Sequence, residues 1–530
     1  MTKPLTRRDY LKTAAAAVGG LVVGGAIGYG AYPALNPAAP KKEVQAPTSF
    51  VQGGTLYITY RSPVLNLDPH IMTDEASYGA AQNTMDQLVV FEGNTANIIP
   101  NLAYAWEISD DGKEYTFHLW KGVKFHDGTE LTANDVKFTF ERLLAPETKA
   151  SYYAYFSSID KIQVIDDYAA KFILKEPNAI MLAALAAPPS VIMNKKRVEE
   201  LKGDLSSNAF GVGSGPFKFV EWKVNDHLTM EANENYWAGR PHLDKIIIKE
   251  IPERTTRAVA VQTGEIDIGA DIPYDMIEQM KGNKDLVTID DHKIGAYYMG
   301  FNCSQPPFKD NVTLRQALSH GVDYGAVLVQ FRGHLARSLG PYGPNLWGYP
   351  GDIVGYNFDP DKAKELLAKA GYPKGLDVTM HATDWNIDDG QICAASLAKI
   401  GVNVKIIHLD AASLDAACSA GKETQLFMMA WGADIPDPDN VLYTVFESTS
   451  PINWVHWKND KFDELVHRAR VITDQGERSG LYTEAFKIVM DEAPAAWLHD
   501  PGFSWALSRH IHGFQVGPHY QYLLRGVWKK

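Results

Sequence analysis

The sequence predicts an α/β fold in which a parallel or mixed β-sheet is covered by helices. Between residues 361 and 431, helical and strand patterns alternate along the chain, as expected where helices connect parallel strands. The first half of the chain contains several short strand patterns bounded by turn residues. Roughly 480 residues follow an N-terminal leader, enough on length alone for roughly two to four domains with large cores.

The first half opens on a predicted strand over 53–60, which is rich in β-branched and aromatic residues after two glycines. A helix is predicted over 74–89, and the alternating residues 114–119 indicate a half-buried strand. The run Thr132 to Asp135 has the spacing of a capping box and predicts a helix through about Leu144. Four further strands are predicted over 159–165, 171–174, 217–222 and 227–231.

The second half contains the alternating region and two long helices. The alternating elements are a helix over 361–370, a strand over 377–381, a helix over 389–400, a strand over 402–407, a helix over 411–420 and a strand over 425–431. Two long helical patterns follow over 460–472 and 476–492. Neither an internal repeat nor a low-complexity tract is evident after the leader.

The leader is typical of a twin-arginine export signal. Arg7 and Arg8 precede 28 residues, 13–40, that carry no charged side chain and are rich in glycine and alanine. We therefore interpret residues 1–47 as a Tat-type signal or anchor followed by a Pro/Ala-rich tether. The remainder is expected outside the cytoplasm, in the periplasm or at the outer face of the cytoplasmic membrane. Whether the leader is cleaved or is retained as a membrane anchor stays open.

The charge of the chain argues against nucleic acid as a partner. The formal net charge is −13, and residues 1–46 hold six basic and two acidic side chains, which leaves −17 on the rest. An acidic body repels phosphate backbones and anionic lipids, and it favours neutral or cationic ligands, although surface acidity also simply confers solubility.

Three cysteines, Cys303, Cys393 and Cys418, allow one disulfide in an oxidising compartment. We expect Cys393 and Cys418 to be the pair if one forms. The chain has no CxxC motif, so neither a zinc ribbon nor a thioredoxin-type site is indicated.

A series of short runs spread over residues 50–530 carries a family resemblance. The longest extends from Ala105 through Trp106 and 110–113 to His126, Asp127 and Gly128. The others are 213–217, 233–237, 264–267, 301–302, 307–310, 315–318, 370–373, 431–439 and 511–514. Together, and in this order, they resemble the extracytoplasmic solute-binding proteins of peptide, oligosaccharide and nickel ABC importers, family 5. Trp120 departs from the family pattern, which usually has arginine there.

This resemblance implies a two-lobed, periplasmic-binding-protein-like fold of class II, the large peptide-binding type, with a hinge between the lobes. It implies lobe I over 48–299 with 500–530 returning to it, and lobe II over 300–499. A solute is captured as the lobes close and is passed to the ABC permease subunits of the membrane, without covalent chemistry. We expect a monomer without cofactor, catalytic residues or metal site.

The resemblance places one ligand contact at Asp434, because peptide-binding members pair this aspartate with the α-amino group of the ligand. Trp431 and Gly432 precede it in the same run. The alternative is that Asp434, Asp437 and Asp439 form only a proline-stiffened acidic loop. The two prolines between them make a calcium loop a poor interpretation.

Other features leave the ligand class open. Dipeptide binders tend to hold the carboxylate of the ligand with an arginine before the 389–400 helix, whereas 383–389 contains three aspartates and no arginine. A longer peptide, a cationic ligand or an oligosaccharide would suit better. Trp385 and Trp431 could stack on a sugar ring or a side chain, or could be core residues. The remaining candidates lie on the hinge strand and at a helix start: Tyr297, Tyr298, Asn302, Thr73, Asp74 and Glu75.

Two other functions stay open from the sequence. Nickel or heme carriage occurs within the family, but the histidines here are scattered. A secreted hydrolase is the alternative from a different class, and the chain has no HExxH or GxSxG motif to support it.

Overall fold

The computed structural model describes residues 51–93, 95–422, 424–517 and 520–530. The predicted export signal and tether, residues 1–47, therefore lie outside the described residues. The predicted α/β class is confirmed, because the described chain combines mixed sheets with helices packed on their faces. No helix among the described residues is long and apolar enough to cross a lipid bilayer.

The described strands up to the middle of the chain are β1 (Thr55–Thr59), β2 (Val89–Phe91), β3 (Ile98–Pro100), β4 (Ala103–Ile108), β5 (Glu114–Leu119), β6 (Ile159–Asp166), β7 (Ala169–Leu174), β8 (Phe217–Lys223), β9 (His227–Ala232), β10 (Lys245–Lys249), β11 (Ile268–Ile272) and β12 (Leu286–His292). The remaining strands are β13 (Ile294–Phe301), β14 (Leu376–Ala382), β15 (Val402–His408), β16 (Leu426–Ala433), β17 (Ala495–His499), β18 (Gly502–Ser508), β19 (Ile511–His512) and β20 (Trp528–Lys529).

The described helices of the first half are α1 (Glu75–Thr84), α2 (Ala133–Leu144), α3 (Tyr153–Phe156), α4 (Met181–Leu185), α5 (Lys195–Glu200), α6 (Arg254–Thr263) and α7 (Tyr274–Met280). Those of the second half are α8 (Val312–Gly321), α9 (Tyr324–Val329), α10 (Pro360–Lys369), α11 (Ile387–Ala398), α12 (Ala411–Ala420), α13 (Asp439–Phe446), α14 (Asp460–Val471) and α15 (Gln475–Glu492). Two short 3-10 turns span Pro146–Thr148 and Pro188–Ser190.

Two mixed sheets organise the chain. The larger has seven strands in the order β12-β18-β11-β1-β10-β9-β8, with β1 parallel to both β10 and β11. The second has five strands in the order β15-β14-β16-β13-β17, with β14 parallel to both β15 and β16. The latter arrangement confirms the parallel pairing that the alternating pattern of residues 361–431 predicts.

The chain passes between the two large sheets twice. It leaves the seven-stranded sheet at His292 and enters β13 at Ile294, and it returns between His499 and Gly502. The two crossings are bonded to each other, because the Lys293 N–H donates to the Pro501 carbonyl at 2.6 Å. We call residues 51–292 with 502–530 part A, and residues 294–499 part B. The predicted lobe limits at 299/300 and 499/500 remain a prediction about domains.

Two of the family-like runs, 213–217 and 233–237, contact the buried carboxylate of Asp86 in part A. Asp86 accepts hydrogen bonds from the Tyr236 hydroxyl at 2.8 Å, from Trp237 Nε1 at 3.0 Å and from the Ser214 hydroxyl at 2.9 Å. Gly213 lies so close to the end of α1 that a Cβ there would stand 1.9 Å from the Thr84 carbonyl oxygen. This glycine loop therefore packs closely against the backbone at the end of α1.

Most predicted elements are found, and one boundary is wrong. The Thr132 capping box is present at the start of α2, and α12 and α15 lie where the sequence predicts them. The helix predicted over 74–89 ends at Thr84. There the Thr84 carbonyl accepts a hydrogen bond from the Gly215 N–H at 3.0 Å, and the chain then turns into β2.

The expected Cys393–Cys418 disulfide is wrong in this structure, where all three cysteines are free thiols. Along β16, Phe427 packs in the same hydrophobic cluster as Cys418, whereas its neighbours Leu426 and Met428 pack in the cluster of Cys393. Successive side chains of a strand point to opposite faces. The two cysteines therefore lie on opposite faces of the five-stranded sheet.

Candidate functional site

Asp434 lies at the interface between part A and part B. It follows β16 directly, and its Oδ2 accepts a short hydrogen bond from the Tyr152 hydroxyl of part A. Asn440, near the start of α13, lies beside it, with Nδ2 3.5 Å from Asp434 Oδ1. The same Nδ2 donates to the Tyr155 hydroxyl of part A at 2.6 Å. Two tyrosines of part A thus meet an acid and an amide of part B.

The environment of Asp434 opposes its ionised form. Burial raises the pKa of this carboxyl to about 6, although hydrogen bonds from backbone N–H groups and from Asn440 partly counteract the rise. Among the residues that the structure describes, no lysine, arginine or histidine forms an ion pair with Asp434. Burial and the charge of Asp434 raise the pKa of the nearby Tyr78, which is on α1. The site therefore holds an acid without a countercharge.

The two other aspartates of the run have arginine partners. Asp437 receives two hydrogen bonds from Arg478, both at 2.8 Å. Asp439 lies 3.1 Å from Arg470, and burial raises the pKa of its carboxyl to about 6. These pairs hold α13, α14 and α15 together. The three aspartates are thus unequal, and Asp434 is the member that faces part A unpaired with a cation.

Trp431 and Gly432 shape the approach to Asp434. Trp431 is half-buried, donates from Nε1 to the Asn440 carbonyl at 2.9 Å and meets Trp454 edge to face at 6.2 Å. A Cβ at Gly432 would stand 2.6 Å from the Tyr520 hydroxyl, so the absence of a side chain lets this tyrosine of part A approach β16. Tyr520 is half-buried, and the sequence analysis did not identify it.

The hinge-strand candidates divide into one residue at the interface and two in the core. Tyr297 is half-buried and stacks on His499 with ring centroids 4.6 Å apart. Tyr298 is buried against Trp497 and Phe427. Asn302 is buried and donates to the Gly421 and Thr424 carbonyls at 2.9 and 2.8 Å, which fixes a turn of part B.

The remaining candidates are in loops. Trp385 has 65% of its surface exposed, just before α11. Thr73 is exposed, and Asp74 caps α1 by accepting from the Ser77 N–H at 2.8 Å. The second oxygen of Asp74 is buried without a hydrogen-bond partner among the described residues, and burial raises the pKa of this carboxyl.

A group of charged residues, of which the sequence indicated only Glu75, lies where the parallel strands of part A end. Arg61 follows β1, and its Nε is 3.2 Å from the Glu75 carboxylate. Lys293, at the crossing, is 1% exposed and lies 2.8 Å from Asp291. It also donates to the Gly517 carbonyl at 2.7 Å and to the Tyr522 hydroxyl at 3.0 Å. The sequence signal for Arg61 is its position after the opening strand, since ligands tend to bind at the carboxyl ends of parallel strands.

A surface hollow lies apart from this interface, and the described residues provide no cluster of metal ligands. A surface hollow of about 330 Å³, lined by Lys364, Tyr372 and Lys399 among others, is open and lies wholly on part B. It shares no residue with the contacts described above. Within the described ranges, no group of three or more His, Cys, Asp or Glu residues could hold a metal ion.

Comparison with known proteins identifies the architecture. The model of the family described as bacterial extracellular solute-binding proteins, family 5 Middle, matches residues 97–452. Heme-binding protein A of Haemophilus influenzae is 33% identical over 87% of this chain and 90% of its own length. The dipeptide-binding protein of Escherichia coli K12 is 31% identical over 88% of this chain and 93% of its own. The periplasmic binding protein DppA of Helicobacter pylori, solved with the peptide STSA, superposes with a TM-score of 0.80 at 33% identity. That superposition covers 90% of this chain and 98% of the solved one.

Proposed function

This chain belongs to family 5 of the bacterial extracellular solute-binding proteins, and we propose that it captures peptides for an ABC importer by holding their α-amino group at Asp434. The observation that carries the proposal is a carboxylate at the interface of the two parts that has hydrogen-bond donors but no cation among the described residues. The similar proteins whose names specify dipeptides or whose structure holds the peptide STSA support peptides as the ligand class.

An ammonium group supplies what Asp434 lacks. In a half-buried site an ion pair is weakened by water less than it would be at the surface. A phenol such as Tyr152 donates one neutral hydrogen bond, whereas an ammonium adds a full positive charge and donates several. Peptide binding should therefore lower the pKa of Asp434 and release a proton near pH 6.

Ligand binding and the approach of the two parts use the same residues. Tyr152 and Tyr155 come from part A, whereas Asp434 and Asn440 come from part B. A ligand at Asp434 contacts both sides only when the parts are together, so it stabilises the closed arrangement by its differential affinity. Asp434, Trp431, Gly432 and Tyr297 are the predicted contacts that we retain at this interface. Tyr298 and Asn302 would act through the fold of part B.

The place of the protein in the cell follows from this function. We propose that the chain delivers its solute to permease subunits in the cytoplasmic membrane and carries out no catalysis. We propose that the chain acts as a monomer at the outer face of that membrane or in the periplasm, exported by the twin-arginine leader that 1–47 resembles. Retention of the leader as an anchor would keep the protein beside its permease.

Thermal unfolding with panels of peptides and of oligosaccharides tests the proposal. A ligand at about one hundred times its dissociation constant should add about 2.7 kcal/mol to the free energy of unfolding. We expect the peptide panel to raise the melting temperature and Asp434→Asn to remove most of that rise. A rise in melting temperature with oligosaccharides alone would overturn the peptide assignment and would make Trp385 and Trp431 the candidate ligand contacts.

A further inference from the structure

Arg61 is placed by the sheet topology at the edge that faces part B. It follows β1 by two residues, and β1 is parallel to β10 and β11. The carboxyl ends of these three strands therefore meet at one edge, and the chain crosses into part B from this region through Lys293. Arg61 also interacts electrostatically with Tyr297 of part B. Its side chain is 35% exposed in spite of this neighbour.

The guanidinium of Arg61 is only partly used by the protein. Its Nε lies 3.2 Å from Glu75, and its carbon lies 5.3 Å from the ring centre of Phe503 and 5.9 Å from that of Tyr520. Within the described part of the chain, neither terminal nitrogen has a hydrogen-bond acceptor. The paired terminal N–H groups of an arginine match the two oxygens of a carboxylate. The N–H groups of both terminal nitrogens, four of the five donors of the guanidinium, are therefore available to a ligand.

The neighbouring cations have no such capacity. Lys293 is buried and holds Asp291, a carbonyl and a hydroxyl at once. Arg257 is also buried and lies 2.9 Å from Asp271. Arg254 is exposed, but its Nη2 lies 3.0 Å from the same carboxylate. Among these cations at the edge, Arg61 combines exposure with free terminal donors.

Arg61 and the Asp434 run are separated by one aromatic ring. Tyr520 lies 5.9 Å below the Arg61 guanidinium, and its hydroxyl stands 2.6 Å from the place where Gly432 would carry a Cβ. A peptide of roughly two to four residues, at about 3.5 Å per residue, is long enough to extend along this ring. Asp434, which has no cation, and Arg61, whose terminal N–H groups have no acceptor among the described residues, thus lie on either side of Tyr520.

We propose that Arg61 receives the carboxylate of the ligand, so that the preferred ligand is a short zwitterionic peptide held by its amine at Asp434 and by its carboxylate at Arg61. This inference rests on the proposed function. It accounts for the lack of an arginine in 383–389, because part A supplies the anion-binding group instead. The ligand would then be selected for length as well as for its two end charges.

The test compares three forms of one peptide by calorimetric titration. The probe is the short peptide that raises the melting temperature most, together with its C-terminal amide and its N-acetylated form. We expect the amide to bind the wild-type protein about 10- to 100-fold more weakly than the free acid, since a hydrogen-bonded charge pair is lost.

The variants separate recognition from folding. Arg61→Gln alone would leave the buried Glu75 without its cation, so we compare Glu75→Gln with the double variant Arg61→Gln/Glu75→Gln. Glu75→Gln should keep the preference for the acid over the amide, and the double variant should lose it. Arg254→Gln is the matched control at the same edge, because its donors already serve Asp271, and it should keep the preference.

The outcomes distinguish this inference from the function on which it rests. Equal binding of acid and amide to the wild-type protein, or an unchanged preference in the double variant, would overturn the role of Arg61. In that case strong binding that N-acetylation abolishes would still support Asp434 as the amine site. If no peptide of the panel binds, both proposals fail.

Discussion

Asp434→Asn should make the ligand-free protein more stable and its peptide binding weaker. At pH 7.5 the wild-type carboxyl is ionised, because its pKa is about 6. That pKa lies about 2 units above the ordinary 3.8, and each unit corresponds to 1.36 kcal/mol, so the ionised group disfavours the folded state by up to about 3 kcal/mol. The amide carries no charge and keeps the same shape, so this cost disappears.

The polar contacts of the site are suited to an amide. The Tyr152 hydroxyl can still donate to the oxygen of the new side chain. Asn440 Nδ2 now faces both Asp434 Oδ1 and the Tyr155 hydroxyl, so the Asn440 amide must turn over; its oxygen then accepts from the new NH₂ group and from the Tyr155 hydroxyl. The substitution therefore removes the charge without leaving a newly unsatisfied polar atom.

The pH dependence gives the prediction its sign. A carboxyl whose folded pKa is raised contributes its full stability below the unfolded value of 3.8 and loses it as the pH rises through about 6. Urea unfolding should thus give equal stabilities for the wild type and Asp434→Asn near pH 3.8. The variant should be more stable by up to about 3 kcal/mol at pH 7.5. Calorimetry at pH 7.5 should show peptide binding weakened by about 10- to 100-fold.

The matched control is Asp439→Asn, the same substitution five residues further on. Burial raises the pKa of Asp439 to about 6 as well, but Arg470 lies 3.1 Å away. Removing this charge also leaves the half-buried Arg470 without its carboxylate, which offsets the relief, so stability should not rise and the peptide dissociation constant should stay the same. If Asp434→Asn lowers stability and leaves peptide binding unchanged, Asp434 is a structural acid and the amine-site reasoning is refuted.

Three other substitutions test the frame around the site. Lys293→Met should cost about 3–5 kcal/mol in urea unfolding, because it leaves a buried carboxylate at the crossing unpaired; a loss below about 1 kcal/mol would contradict this. Gly432→Ala should weaken peptide binding in calorimetry by about tenfold with little change in melting temperature, because the new methyl group displaces the Tyr520 hydroxyl; unchanged affinity would show that this tyrosine is not needed. Arg478→Gln should cost about 3–5 kcal/mol by breaking its buried pair with Asp437, and the remaining folded protein should bind peptide normally.

The fold could be predicted well because its signals are local. Period-two alternation identified β5, a capping box located α2, and helix–strand alternation identified the parallel part of the five-stranded sheet. The end of α1 was missed because it is set by the glycine loop at 213–215, which lies far away in sequence. The cysteine pairing failed for a similar reason, since only the sheet decides which face each thiol occupies.

The candidate site could be predicted only where one residue type in a recognisable run carries the chemistry. Asp434, the proposed amine contact, met that condition, whereas Tyr152, Tyr520 and Arg61 did not, because their proposed roles arise from the packing of three separated segments. Tyr298 shows the opposite error, a residue that the sequence suggests as a ligand contact but that lies in the core. It adjoins Tyr297 on the same strand, and strand alternation turns one ring to the interface and the other to the core.

The contact between Tyr152 and Asp434 explains how ligand chemistry can be coupled to closure. Without ligand, the Tyr152 hydroxyl donates to the Asp434 carboxylate across the interface but does not neutralise its charge. Burial accordingly raises the pKa of Asp434. This arrangement brings the two parts together while keeping the closed state costly. An ammonium removes that cost only while both the acid of part B and the tyrosines of part A surround it. We therefore propose that the free energy that favours closure comes from neutralising this one charge, so that a ligand without a cationic group would fill the interface without stabilising it to the same extent.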